Sequence, residues 1–253
     1  MSISRAELLR YCDAFLNADH INDYCPNGLQ VEGRETIRKI VGGVTASQAL
    51  IDAAISVNAD ALVVHHGYFW KGESAQIQGI KKRRLKALLG ADLNLFAYHL
   101  PLDVHEIVGN NVCLAELLGF KITGALEPSA QIKVGLAGEL AEPADAITLA
   151  AQIGEKLGRK VMHIAGNQEP IKTIAWCTGA AQSMIERAVD LGVDAYVSGE
   201  ISEPTVHIAR EAGIHYFAAG HHATERYGVQ ALGKHLGEKF KVDFEFIDID
   251  NPV

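Results

Sequence analysis

A chain of 253 residues is long enough for one large or two modest domains with a real core. Its 48% apolar and 21% charged residues exclude a disordered chain. A net charge of −8 argues against non-specific binding to nucleic acid or an anionic membrane, and no apolar run approaches the roughly 18 residues of a membrane span.

In chain order, MSISRAELLRYCDAFLNADH reads as an amphipathic helix. Ser4 and Glu7 make a capping-box pattern, and Leu8, Cys12 and Phe15 share one face. The stretch has no signal-peptide layout. The four cysteines (Cys12, Cys25, Cys113, Cys177) are scattered without CxxC spacing and read as reduced thiols of a cytoplasmic protein. Residues 37–66 and 171–200 then align without a gap at an offset of 134, with Ile37/Ile171, Ala46/Ala180, Gln48/Gln182 and Asp60/Asp194 among the identical pairs. Each copy reads as strand, small-residue turn, helix and a closing strand led by Asp-Ala. That is a βαβ unit with parallel strands and a right-handed crossover. A third strand follows each copy, at 93–100 and 214–220, and a helix follows each of those, at 110–119 and 227–240. Between them lie a strand at 133–140, a helix at 143–158 with Pro143 in its first turn, and a strand at 160–166. The fold class is therefore α/β, with two similar βαβ-containing lobes, 1–125 and 126–253, and a boundary at the turn residues of GALEPSA.

In open α/β sheets, sites form beyond the carboxyl ends of the strands. His65 and His66 stand at such an end, as do YHLPLD (98–103) and GHHATE (220–225). By chance, 11 histidines in 253 residues give about 0.4 adjacent pairs, and the chain has two. A metal site and satisfied polar corners both remain open on this reading. If a helix starts at 221, His221 and Glu225 fall on one face. Asp103 lies past Pro101, which stiffens the turn. His65, His66, Asp103, His221 and Glu225, with Glu225 shared as a bridge, would complete a dinuclear centre between the lobes. Imidazole and carboxylate without thiolate suit Zn, Fe, Mn or Co. Two divalent ions against two carboxylates leave the site positive, which favours an anionic substrate. His99 is either a structural histidine or a group facing the cavity, and Glu200 stands at the repeat-equivalent strand end. GGVTASQ (42–48) reads as a plain βα turn rather than a phosphate loop, and the basic run 81–86 as a solvated helix face. GYFW (67–70) is either a stacking surface or core packing. No GxSxG elbow occurs.

Taken together, DYCPNGLQVEG (23–33), GVTASQALIDAA (43–54), ADALVVHHGYFWKG (59–72), YHLPLD, NN (110–111), GHHATER and the tail FIDIDNPV resemble the GTP cyclohydrolase I type 2 family, also called the Ngg-interacting-factor-like proteins. The similarity covers nearly the whole chain and is closest to the short bacterial type. It implies a two-lobed α/β protomer in a toroidal homohexamer. It also implies two divalent ions per subunit held by His65, His66, Asp103, His221 and Glu225, with Glu225 bridging. The expected activity is metal-dependent hydrolysis of an anionic small molecule. The resemblance points to a nucleotide or purine-like compound, opened at the imidazole-ring carbon with release of formate. Histidine's ordinary pKa near neutrality makes His99 the candidate proton carrier. The alternatives are a non-catalytic metal-binding scaffold or interaction protein and a di-iron oxidoreductase.

Overall fold

The computed structural model describes residues 1–167 and 170–253. They form two compact units: Met1–Val108 with Gly228–Asp250, and Gly109–Tyr227 with Asn251–Val253.

The first unit is built on a five-stranded sheet in the order Asp243–Phe246, Lys39–Thr45, Ala61–His66, Asn94–Ala97, Gly28–Val31. The first four strands run parallel and the last antiparallel. Side chains alternate across the pleat. Ile40, Val63 and Phe96 pack with Leu8, Cys12, Val229, Leu232 and Leu236, whereas Val41, Leu62, Val64 and Leu95 pack with Leu50, Ile51, Leu85 and Leu88. Burial on both faces is why these strands read as unbroken apolar runs. Parallel pairing also puts three carboxyl ends on one edge. Thr45 is in register with His66, and Ala97 with Val64, so Tyr98 and His99 emerge beside the tandem histidines.

The second unit carries a six-stranded mixed sheet, in the order Phe120–Ala125, Leu136–Ala144, Ile171–Cys177, Ala195–Ser198, His215–Ala218, Met162–Ile164. Its three central strands are parallel and the others antiparallel. Trp176, Val197 and Phe217 pack with Leu149 and Ile153 on one face, and Tyr196 and Tyr216 with Ile185 and Ala209 on the other.

Asp60 and Asp194 explain the Asp-Ala that leads each closing strand. Asp60 Oδ2 accepts from the N–H groups of Arg38 (2.7 Å) and Lys39 (2.9 Å). Asp194 Oδ2 accepts from Lys172 and Thr173, both at 2.9 Å. Each carboxylate thus pins the start of the preceding strand. The helices open as their caps dictate: Ser4 accepts from Glu7 N–H before Arg5–Phe15, and Ser47 from Leu50 N–H before Gln48–Ser56.

Three expectations change. The helix expected at 143–158 spans Ala146–Leu157, because the Asp145 carboxylate caps it on Thr148 N–H; Pro143 ends the preceding strand instead. The helix expected at 227–240 begins at His221. The units also divide the chain otherwise than at 125/126. Phe120–Ala125 pairs with Leu136–Ala144 in the second sheet, while Gly228–Asp250 returns to the first unit with a sheet strand of its own. No helix among the described residues is long and apolar enough to cross a membrane. All four cysteines are free thiols.

Candidate metal centre

In the first unit, the strand Ala61–His66 ends on two imidazoles, the first fully buried. His65 Nδ1 lies 3.0 Å from the Tyr98 carbonyl oxygen. A carbonyl only accepts, so the proton sits on Nδ1 and Nε2 carries the lone pair. That Nε2 is 3.5 Å from Asp103 Oδ1, longer than an N–H···O bond. Two donors each about 2.1 Å from one ion, at a tetrahedral angle, stand roughly 3.4 Å apart. The separation therefore fits a shared cation better than a direct bond. Asp103 is delivered by the short helix Leu100–Val104, which has Pro101 in its first turn. His66 Nδ1 is anchored 3.1 Å from Thr45 Oγ1. Ligating atoms of His65, His66 and His99 lie within 4.8 Å of one another.

His99 is oriented by a carboxylate from a distant loop. Asp23 Oδ1 accepts from His99 Nδ1–H at 2.9 Å, and Asp23 Oδ2 accepts from Leu100 N–H (2.9 Å) and Asn27 Nδ2–H (3.0 Å). Asn27 Oδ1 in turn accepts from His99 N–H at 2.8 Å. Burial pushes the Asp23 pKa up, but the bonds from His99, Asn27 and Leu100 outweigh it and bring it down to about 2. Cys25 joins Asp23 and His99 within 4.8 Å. Burial, aided by Asp23 and Asp103, pushes its thiol up to about 12. In the metal-free protein it is therefore a neutral thiol at neutral pH. The rings of Trp70 (5.0 Å) and Tyr24 (5.3 Å) meet His99 edge-on and make an aromatic wall beside it.

In the second unit, His221 opens the helix His221–Phe240, so His221 and Glu225 sit one turn apart. His221 Nε2 is 3.0 Å from Glu225 Oε2, and His221 Nδ1 is 2.7 Å from Glu200 Oε1. A histidine held through Nδ1 by one carboxylate and facing a second through Nε2 has the outer-shell support typical of metal ligands. Burial lowers the His221 pKa, yet Glu225 and Glu200 together raise it to about 9. Thr224 Oγ1 accepts from Gly179 N–H at 3.1 Å, joining the turn after Ile171–Cys177 to the start of the helix. Gly179 has φ +69, and a Cβ there would overlap the Glu225 carboxylate. Only glycine leaves that space.

Of the five expected ligands, His65, His66 and Asp103 belong to the first unit and His221 and Glu225 to the second. Asp23 and Asn27 went unrecognised in the sequence, although they stand in DYCPNG, because nothing in their spacing points to a partner 76 residues away. Glu200 stands at a strand end equivalent by repeat to His66, and that position was its only signal. Tyr68 is core, with its hydroxyl donating to the Ala46 carbonyl at 2.6 Å. In the basic run, Lys81 pairs with Glu73 at 3.2 Å, and Leu85 and Leu88 turn inward.

The fold and site together define a two-unit mixed α/β protein whose anchored imidazoles and carboxylates could hold metal ions. Comparison places it more closely: residues 3–252 match the family Duf34/NIF3 (NGG1p interacting factor 3), and the chain belongs to that family. It is 56% identical over 252 residues to a Pseudomonas aeruginosa protein named GTP cyclohydrolase 1 type 2 homolog, covering 100% of both chains. The solved structure of protein ybgI is 51% identical with a TM-score of 0.96, covering 99% of this chain and 100% of that one. The structure of TTHA1606 from Thermus thermophilus is 35% identical with a TM-score of 0.89, over 99% and 100% of the two chains.

Proposed function

We propose that the chain is a dinuclear metal-dependent hydrolase acting on a nucleotide or purine-like compound. His65, His66 and Asp103 would join His221 and Glu225 around two divalent ions, with Glu225 bridging. The observation that carries the reading is the anchoring of the imidazoles: His65, His66 and His221 are each held through Nδ1 while a carboxylate stands beside Nε2 of two of them. Hydrogen-bonded core histidines do not need that second carboxylate. A bound pair of divalent ions supplies Lewis acidity and water acidified to a pKa of about 7.

The chain's own residues supply the rest. Asp23 keeps the proton on His99 Nδ1, so Nε2 is the atom that takes up or returns a proton during turnover. Trp70 and Tyr24 give a planar base a face to stack on and shield His99 from bulk water. The name of the Pseudomonas relative makes GTP the first substrate to test. The reading includes a homohexameric ring, which sedimentation velocity measures.

The deciding experiment has two parts. Protein never exposed to chelators is measured for metal content and ligand identity by anomalous scattering at several metal edges. It is then assayed for formate release from GTP and for hydrolysis of a panel of nucleotides and phosphodiesters. Two ions per chain and turnover lost in His65→Ala are expected. No bound ion, or no turnover of any compound in the metal-loaded protein, overturns the reading.

A further inference from the structure

Arg159 follows the helix Ala146–Leu157 and its cap, Gly158. Its side chain lies across Gly220, whose φ is +100 and where a Cβ would overlap the guanidinium. A residue with any side chain at 220 would evict the arginine, so the backbone is shaped to seat it. Arg159 Nε is shut off from solvent and has no acceptor among the described residues. No carboxylate among the described residues pairs with the guanidinium. A half-buried guanidinium with no carboxylate partner is costly unless an anion reaches its terminal nitrogens.

Arg159 lines a cavity of about 670 Å³ within the second unit. That volume is within the range of small-molecule sites, roughly 300–1,000 Å³. Val161, Met162, Ile201 and Pro252 give it apolar walls, and Lys160 adds a second cation. Glu200 also lines it, but one of its oxygens is committed to His221 Nδ1 at 2.7 Å. An arginine fork suits a planar or tetrahedral oxyanion, and Lys160 on the same lining offers a phosphate a second cation.

We propose that this cavity binds an organic phosphate monoester, its phosphate on the Arg159 guanidinium and its ring-sized apolar body against Val161, Met162 and Ile201. As a pocket the assignment rests on Arg159 and the cavity alone. As the phosphate subsite of the hydrolase it rests on the metal reading, through Glu200, which borders the cavity and holds His221.

The test titrates phenyl phosphate into the full-length protein by calorimetry, with inorganic phosphate and benzyl alcohol as controls. Binding is followed in parallel by the methyl resonance of Met162 in methionine-labelled protein. Saturable binding that shifts Met162 is expected. Arg159→Gln should weaken it at least tenfold, and Arg159→Lys should recover part of the loss. Ile201→Trp, which fills the cavity and leaves the cation, should remove phenyl phosphate binding without lowering the melting temperature as a misfolded variant would. Chelated protein and His65→Ala should bind phenyl phosphate as the untreated protein does. The pocket then stands even if the metal reading falls. Unchanged affinity in Arg159→Gln, an unmoved Met162 resonance, or binding that disappears on chelation would each overturn the proposal, the last because it would put the phosphate on the ions.

Discussion

Replacing Asp23 by Asn removes one charge and almost no volume, so its effect can be worked from the structure. The carboxylate side chain is only 2% exposed, and it accepts from His99, Leu100, Asn27 and, at 2.7 Å, Tyr24 N–H. Its pKa falls from an ordinary 3.8 to about 2 in the folded protein. A gap of nearly two units corresponds to about 2 kcal/mol of folding stability at neutral pH. A lowered folded pKa means that the contribution is complete above the unfolded pKa and is lost as pH falls through the folded one. The protonated acid is close to asparagine in shape and charge, so the variant and the parent should converge in acid. The expected deficit of Asp23→Asn is about 2 kcal/mol at pH 7 and about 1 kcal/mol at pH 3. Urea unfolding at several pH values measures it, read by fluorine NMR on fluorotryptophan-labelled protein. The two tryptophans, Trp70 and Trp176, report one unit each. A deficit that is the same at both pH values, or that shows only in the Trp176 signal, refutes the assignment of Asp23 as an ionised anchor of His99.

Glu200→Gln removes the charged anchor of His221 and should weaken divalent-ion affinity about 10- to 100-fold, seen by competition with a chromogenic chelator. Gly179→Ala puts a methyl group where the Glu225 carboxylate sits, at φ +69. It should cost at least about 1 kcal/mol in thermal unfolding and lower metal affinity with it, whereas Gly192→Ala, with open space around its Cβ position, should cost the first without the second. The raised pKa of His221, about 9, stabilises the metal-free protein below the ordinary histidine pKa, and that stabilisation is lost as pH rises through 9. The melting temperature of chelated protein should therefore fall from pH 6.5 to 9.5, and Glu225→Gln should flatten the fall.

What the sequence made legible depends on how locally each feature is determined. The strand Ala61–His66 is a β-branched run buried on both faces, and Ser4 with Glu7 caps its helix from three residues away; both were readable. The start of the last helix was not. HHATER has no apolar period, and the helix begins there because Gly220, at φ +100, turns the chain straight out of the strand His215–Ala218. The 108/109 division was hidden as well, since it depends on Phe120–Ala125 finding Leu136–Ala144 instead of the first sheet. Of the site, the side chains with strand-end positions could be named. Their anchors (Tyr98 carbonyl, Thr45, Asp23, Glu200) could not, because a backbone carbonyl has no sequence signature and a lone threonine or carboxylate has too many other uses.

The strand Asp243–Phe246 closes one side of Lys39–Thr45, yet it is synthesised 204 residues later. At roughly 5–20 residues per second, the ribosome leaves that side of Lys39–Thr45 bare for about 10–40 seconds. Through that interval a run of unpaired amides and carbonyls can recruit a strand from a neighbouring nascent chain. The second unit has no comparable wait, since all six of its strands have been made by residue 218. Aggregation during overproduction should therefore begin at Lys39–Thr45. Slowing translation after Tyr227 would lengthen the exposure, and a shortened route to Asp243–Phe246, as in a permuted chain that starts at Gly228, would remove it.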